Sequence, residues 1–447
     1  MFLDGVTYAA IARNLAEGRG RFWEPYYTAT IYPAFHEHPP LALWLESIWF
    51  RVLGDHWLVE RAYCFAAAML TASLIAIMWR ALYERGSPRE PRERGDNAWL
   101  PIAFWMLAPV VSWSIVGNLL ETTVCIFVTA AVAALAIGGR GPIGSAIAAG
   151  VISGLCVAAA VLSKGPVGFF PLAAPVIMAL LPEHRRATIP VTAAQWTTLT
   201  LCGVALYLMP SAHDSLARYV AEQLATALSG QRETSGSSIT ILVALLQAVW
   251  LPMSLGIGVS VIGARGWVPP SSRDRRIAIA FTLIGLAGTL PMLVSPKQSG
   301  HYLMPAVPFY AIGAAALSAG TVDAFASRLS AGRGARVVRI LALAVALGAV
   351  AAIWIPAVER DPVRVADLDR LAAVAPRGAI VGICPAANAD WLLHAWMQRR
   401  FAISLDAGEP HAHDWFLKSA DHSSSCPPAA CVPISDPGRE LTLMRCR

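Results

Sequence analysis

Charge is what this chain has least of. Only 14% of its 447 residues are Asp, Glu, Lys or Arg, where soluble domains carry roughly 25%. Hydrophobic residues make up 56%, and mean hydropathy is +0.53. That shortage excludes a soluble globular protein. It also removes nucleic acid as a partner, because the net charge of +6 comes from cations in short loops between apolar runs, where they set membrane orientation rather than form a basic face. The opening MFLDG has neither a charged n-region nor an apolar h-region, so no cleavable signal peptide is visible. Nor does the polar stretch 357–447 contain a GxGxxG, Walker or nucleophile-elbow pattern. Cysteine is sparse, at eight. Cys64, Cys125, Cys156 and Cys202 lie in apolar runs, and Cys384, Cys426, Cys431 and Cys446 in the C-terminal stretch. The last four allow three disulfide pairings, or free thiols.

What the chain has in quantity is apolar runs near the roughly 20 residues that a spanning helix needs. They fall at 58–82, 98–116, 120–138, 143–162, 167–182, 188–210, 237–263, 277–294, 302–320 and 337–356. The loops between them alternate. One set carries Arg80, Arg85, Arg89, Arg92 and Arg94, then Arg140, then Arg185 and Arg186, then Arg265, Arg273, Arg275 and Arg276, then Arg328, Arg333, Arg336 and Arg339. The other set holds only Lys164, Arg218, Arg232 and Lys297. The positive-inside rule makes the arginine-rich set cytoplasmic, which puts the front of the chain and residues 357–447 outside. Residue 1 would then begin outside, so either the first helix inserts in reverse and carries residues 1–56 across or, the favoured expectation, a further spanning helix stands upstream of Asp4.

The sequence predicts an α-helical polytopic membrane protein of about ten spanning helices. Residues 1–356 form its membrane domain and 357–447 a small extracytoplasmic α/β domain. In the latter, Ala379–Ile383 reads as a buried strand, Trp391–Arg400 as a helix, and Phe401–Leu405 and Leu441–Met444 as further strands. Residues 1–56 form the first extracytoplasmic loop. Asp4–Glu17 is read as an amphipathic helix in the interface plane, with Trp23, Tyr26, Tyr27 and Tyr32 at headgroup depth. Pro40–Leu53 is a second interfacial helix closed by Gly54. Pro39-Pro40 cannot sit inside a helix but can open one, so His36, Glu37 and His38 stand on stiff backbone just before a helix start.

Ionisable groups near membrane depth are costly unless paired or wet, which makes them functional candidates. Here they are Asp4, Glu37, His38, Glu121, Lys164, Lys297 and His301, with Tyr302 adjacent. Each has an ordinary reading too. Asp4 could cap a helix or act as general base toward an acceptor hydroxyl. Glu37 between two histidines is a weak metal candidate, because neighbouring residues rarely face one ion. Lys164 and Lys297 could snorkel to headgroups or hold a phosphate. Glu121 could simply favour the positive end of a helix.

Asp4-Gly5-Val6-Thr7-Tyr8, PAFHEHPPLALWL with Gly54 and Arg61 after it, SKGP at 163–166 and PKQSGHYLMPAVPFYAI at 296–312 stand in an order that resembles the polyprenyl-phosphate-dependent glycosyltransferases of the GT-C fold. That family includes the aminoarabinose transferases of lipid A and the protein O-mannosyltransferases. The resemblance covers residues 4–320. It implies an enzyme of the bacterial inner (plasma) membrane, with a polyprenyl-phosphate-linked sugar donor and a lipid, glycan or protein acceptor at the extracytoplasmic face. Asp4 takes the place of the catalytic carboxylate. Lys164, Lys297 and Tyr302 match the donor-phosphate site, Glu121 a second acidic position, and Tyr8 and His301 are further candidates. Glu37 stands where some members bind a divalent metal, the one cofactor left open. The chain departs from the family's pattern at Gly5 and Thr7, where Glu and Arg are common, and at His38, which replaces a lysine and is fully charged only when protonated. The competing class, a transporter or flippase, would place ionisable groups near the midplane in repeated halves; these candidates sit at loop edges, and no repeat is visible.

Overall fold

A computed structural model of the chain describes residues 3–83, 97–229, 238–264, 268–294, 298–329, 362–409, 412–420, 431–434 and 438–446, with Ile340 and Gly348. Two helices, α1 (Leu3–Ala16) and α2 (Leu41–Leu53), precede the membrane helices. Next come α3 (Val59–Tyr83), α4 (Trp99–Met106), α5 (Pro109–Gly117), α6 (Leu120–Gly138), α7 (Ile143–Lys164) and α8 (Ala174–Met178). Then follow α9 (Thr188–Leu208), α10 (Pro210–Tyr219), α11 (Thr226–Leu228), α12 (Ser238–Ala264), α13 (Ser272–Thr289) and α14 (Val307–Leu329). Seven helices among the described residues are long and apolar enough to cross a membrane, or eight if α4 and α5 form one span.

The expected spans meet three different outcomes. Run 98–116 is not continuous: Pro109 removes an amide at the α4–α5 junction, and the two helices are bent by 74°. Run 167–182 is not an α-helix of spanning length. It is a 3₁₀ stretch, Pro166–Ala173, followed by the short α8. A 3₁₀ helix rises about 2.0 Å per residue against about 1.5 Å in an α-helix, so few residues carry the chain from Lys164 to Glu183. Gln195 steadies this stretch, donating from Nε2 to the Pro171 carbonyl at 3.3 Å and to Ser153 Oγ at 2.8 Å. Run 337–356 lies outside the described residues, Ile340 and Gly348 apart.

The bundle is packed closely. Trp79, Trp105, Val128, Phe281 and Phe309 are buried in one core cluster. Gly150 and Gly154 bring α7 against α9: a Cβ on either would stand 2.5 Å from the Val191 carbonyl oxygen or 2.7 Å from that of Gln195. Small residues four apart on one helix face permit this approach.

The two ends of the bundle differ in chemistry. At one, Arg140 and Arg273 both reach Glu183, and both bond carbonyls in the last turn of α3. Tyr83 donates to Asp274 at 3.0 Å, and Asn97 bonds Asp323. Arginines from the cation-rich loops therefore meet at one end. At the other end lie Glu121, Lys164, His301 and Tyr302.

The first helix corrects an expectation. Residues 5–15 of α1 are almost all buried, including Arg13 and Asn14. It does not float on a lipid interface but is enclosed by protein, against α2 and the C-terminal domain. Its contact with the α5–α6 turn is especially tight, since a Cβ on Gly5 would stand 1.8 Å from the Gly117 carbonyl oxygen. Gly5→Ala is accordingly expected to lower stability by about 1–3 kcal/mol, the usual range for overpacking. A thermal melt in detergent checks this, and an unchanged midpoint would mean that the two backbones do not meet so closely. By contrast α2 is as expected: it begins after Pro40 and stops at Gly54, whose φ of 76° lies in the left-handed region that glycine enters without strain.

The C-terminal domain is α/β. It contains α15 (Pro362–Leu371), β3 (Ile380–Ile383), α16 (Trp391–Phe401), β4 (Ser404–Asp406), β5 (Trp415–Ser419), β6 (Cys431–Pro433) and β7 (Leu441–Cys446); a minimal hairpin of β1 (Gly20–Arg21) and β2 (Glu24–Pro25) lies near the start of the chain. The sheet order is β4-β3-β5-β7-β6. β3 is parallel to β4 and β5, and the other pairs are antiparallel. Val381, Ile383, Phe416, Leu417 and Leu443 supply its buried core. Of the open cysteine pairings, the structure has Cys431–Cys446. Strands β5 and β6 were not foreseen, because neither shows a clean alternation of apolar and polar residues.

Candidate active site

Five separate segments bring the expected ionisable residues together. Glu121 lies in the first turn of α6 and is fully buried, while Lys164 ends α7, its side chain 8% exposed. Their side chains meet at 2.5 Å. Lys164 Nζ also lies 4.7 Å from the centre of the Tyr302 ring, a cation–π contact. His301 Nε2 lies 3.6 Å from the same Glu121 oxygen, and its ring packs on Trp113 at 5.3 Å. Lys164 is therefore neither a loop lysine nor a snorkelling one. It is a buried cation held by a carboxylate and an aromatic face. The second oxygen of Glu121 has no hydrogen-bond partner among the described residues.

Helix α1 supplies the other side. Tyr8 is buried, and its hydroxyl lies 3.0 Å from His38 Nε2. Burial, reinforced by the negative charge of Asp4, Glu121 and Glu37, pushes its phenol well above the usual value of 10, so it stays protonated. Asp4, one turn earlier, is half-buried and forms no hydrogen bond or ion pair among the described residues. Its carboxylate is thus not spent on capping α1.

The three polar residues before Pro39 diverge. His36 Nδ1 contacts Ser215 Oγ on α10 at 3.2 Å, Glu37 accepts from Tyr32 at 2.9 Å, and His38 faces Tyr8. They do not converge on one ion, and among the described residues no group of three or more His, Cys, Asp or Glu could hold a metal. Among the described residues, none joins Glu37 in a set that fits a metal. Lys297 lies outside the described residues.

Several residues at the site escaped sequence reading. Asn118 is the hub: in left-handed conformation, it donates from Nδ2 to the Gly5 carbonyl at 3.0 Å and to Glu46 at 2.9 Å, and it accepts from Cys64. Its signal was the Gly117-Asn118 dipeptide, a turn pattern. Glu46, on α2, is buried. Burial, aided by the charge of Glu60 and opposed by Asn118 and Arg399, raises its pKa to about 8. A carboxyl whose folded value exceeds its unfolded one stabilises the fold below the unfolded value. That stability is lost as pH rises through about 8. Wild-type thermal stability should therefore decline between roughly pH 5 and 8 more steeply than that of Glu46→Gln, and parallel melting profiles would refute a buried neutral Glu46.

Beside His301 opens a cavity of about 790 Å³, lined by Pro109, Trp113, Val116, Gln247, Ala248 and His301 among others. Most of its wall is apolar, and His301, which lines it, also faces Glu121.

No family model matches this chain, and no curated protein matches it by sequence. Solved structures do resemble it. ArnT from Cupriavidus metallidurans in the apo state gives a TM-score of 0.64 at 14% identity, covering 98% of this chain and 92% of that one. The same protein bound to undecaprenyl phosphate gives 0.63 at 13% identity, covering 99% and 93%. The likeness runs over nearly the whole of both chains, so the fold is that of the GT-C membrane enzymes.

Proposed function

We propose that the chain is a membrane glycosyltransferase that moves a sugar from a polyprenyl-phosphate carrier to an acceptor hydroxyl. The observation that carries this reading is the meeting of Asp4, Tyr8, His38, Glu121, Lys164, His301 and Tyr302 at one end of the bundle, beside a mostly apolar cavity that His301 lines. A lipid-linked phosphate needs that combination: apolar walls for the tail, and cations and donors where the headgroup stops. The ArnT of the same fold holds undecaprenyl phosphate, which supports the same class of donor here.

In the reaction, an acceptor oxygen attacks the anomeric carbon and the carbon–oxygen bond to the phosphate breaks. Asp4 takes the acceptor's proton. The polyprenyl phosphate departs with the bonding electrons, and Lys164, Lys297 and the Tyr302 hydroxyl stabilise its charge, as groups aimed at developing charge do. His38 adds to that stabilisation when protonated. The acceptor is a lipid A, glycan, lipid or protein hydroxyl. The arginine-rich loops support transfer at the extracytoplasmic face, and the inner membrane follows from the resemblance.

The test is reconstitution in proteoliposomes with polyprenyl-phosphate donors carrying a radiolabelled sugar, and a membrane extract as acceptor. Label should pass to the acceptor as free polyprenyl phosphate accumulates. Movement of intact donor between leaflets, with no cleavage of the sugar–phosphate bond, would instead identify a flippase and overturn the reading.

A further inference from the structure

Glu37 is held in place from outside its own segment. It sits in an irregular stretch, residues 26–38, whose few internal backbone bonds form a turn closed on the Tyr32 carbonyl, while the Phe35 amide donates back to Pro25. On one side Asn14 of α1 donates to the carbonyls of Tyr26 and Tyr27. On the other, the C-terminal domain takes hold: Ser404 Oγ accepts from the Ala29 amide at 2.9 Å, and Thr30 donates to the Leu405 carbonyl at 2.7 Å. Between these anchors the Tyr32 ring stacks on Trp391, the first residue of α16, at 6.4 Å and 24°. The Tyr32 hydroxyl donates to Glu37 at 2.9 Å.

We propose that Trp391 is a positioning residue for the site: it fixes the Tyr32 ring, and Tyr32 in turn fixes the Glu37 carboxylate beside His38 and Tyr8. The C-terminal domain is then a working part of the site rather than an appendage. Its docking is built for that. Arg399, 7% exposed, binds Glu60 and Asp55 at 2.6 Å each and lies over the Phe50 ring, while buried Arg13 donates to the Gln398 and Arg399 carbonyls in the last turns of α16. The start of α16 is also anchored, since Asp390 accepts the Leu393 amide and pairs with Arg364. Trp391 itself is 46% exposed, so its truncation removes little core packing. An exposed tryptophan stacked on the donor to a site carboxylate is hard to account for by stability alone.

The inference rests on the transfer reading, and the experiment separates the two. In the purified full-length chain, Trp391→Ala and Tyr32→Phe should each lower kcat about 10-fold to 100-fold, with KM for the lipid donor nearly unchanged. A loosened Glu37 displaces its neighbour His38, which meets the leaving phosphate, and a small misplacement at a reacting centre costs that much. The double variant should be no worse than Tyr32→Phe, because both break one chain of contacts, and Trp391→Phe should recover most of the rate. Multiplicative losses, or a loss confined to KM, would overturn the proposal. Hydrogen exchange gives an independent reading: Trp391→Ala should raise exchange across residues 28–38 and leave α3 as it is. If the wild type transfers no sugar, the transfer reading fails by itself, and the exchange result decides the positioning. Unchanged exchange over residues 28–38 would overturn it.

Discussion

Asp4→Asn is expected to reduce sugar transfer by about 10²–10⁴-fold, the usual contribution of a positioned general base, while the melting temperature stays near wild type. Both halves follow from the structure. Asp4 is half-buried and, among the described residues, bonds to nothing, so the fold loses no contact when the charge goes. Asn preserves the shape and removes the basicity. Asp4 also sits one helical turn from Tyr8, which faces His38; residues four apart share a helix face, so the carboxylate is on the side of α1 that carries the site. Single-turnover transfer from a labelled donor, with expression and melting as controls, checks it. A variant that keeps more than half the wild-type rate would remove Asp4 from the mechanism.

The second large effect concerns the Glu121–Lys164 pair and separates stability from activity. Lys164→Ala should destabilise by about 3–5 kcal/mol, because it leaves a fully buried carboxylate without its counter-charge. Lys164→Met combined with Glu121→Gln removes both charges and should recover most of that loss, since a buried ion pair is often no better than neutral groups of similar size. It should not recover transfer. In the proposed reaction the ammonium meets the leaving phosphate, with Tyr302 and His301 beside it, and a folded double variant has lost that ammonium. If the double variant is both stable and active, the pair is only structural and the phosphate site lies elsewhere. Because Glu121 already holds Lys164, an incoming phosphate must share that cation, so binding and the geometry of this pair are coupled.

The HEHPP stretch shows how far local sequence reaches. Its diproline does open a helix, and Gly54 does end it. Yet the partners of its three polar residues come from four places: Ser215 for His36, Tyr32 and behind it Trp391 for Glu37, and Tyr8 for His38. Local backbone chemistry set where the stretch stands stiffly; only long-range packing decided what each side chain faces. Metal binding at Glu37 was open on spacing and is not supported once the three side chains are seen to diverge.

Burial marks the same boundary in α1. Its apolar residues are interspersed with polar ones, a pattern that a lipid interface would satisfy. In the structure Arg13 and Asn14 are buried instead, because they meet carbonyls of α16 and of Tyr26 and Tyr27. No periodicity in α1 could announce a partner almost 390 residues away in sequence.

By itself, then, the sequence determined the membrane class, the order of apolar runs, their alternation of loop charge, and most elements of the C-terminal domain. Those features follow from composition, helix length and capping, which act over a few turns. Tertiary structure alone decided that Gln195 steadies the 3₁₀ stretch after Lys164 and that Asn118 ties Gly5 to Glu46. It also decided that Lys164 is already paired and that the C-terminal domain reaches Glu37 through Trp391. Each of these is a matter of which buried polar group finds which partner, and in a bundle this close-packed the partners lie on other helices.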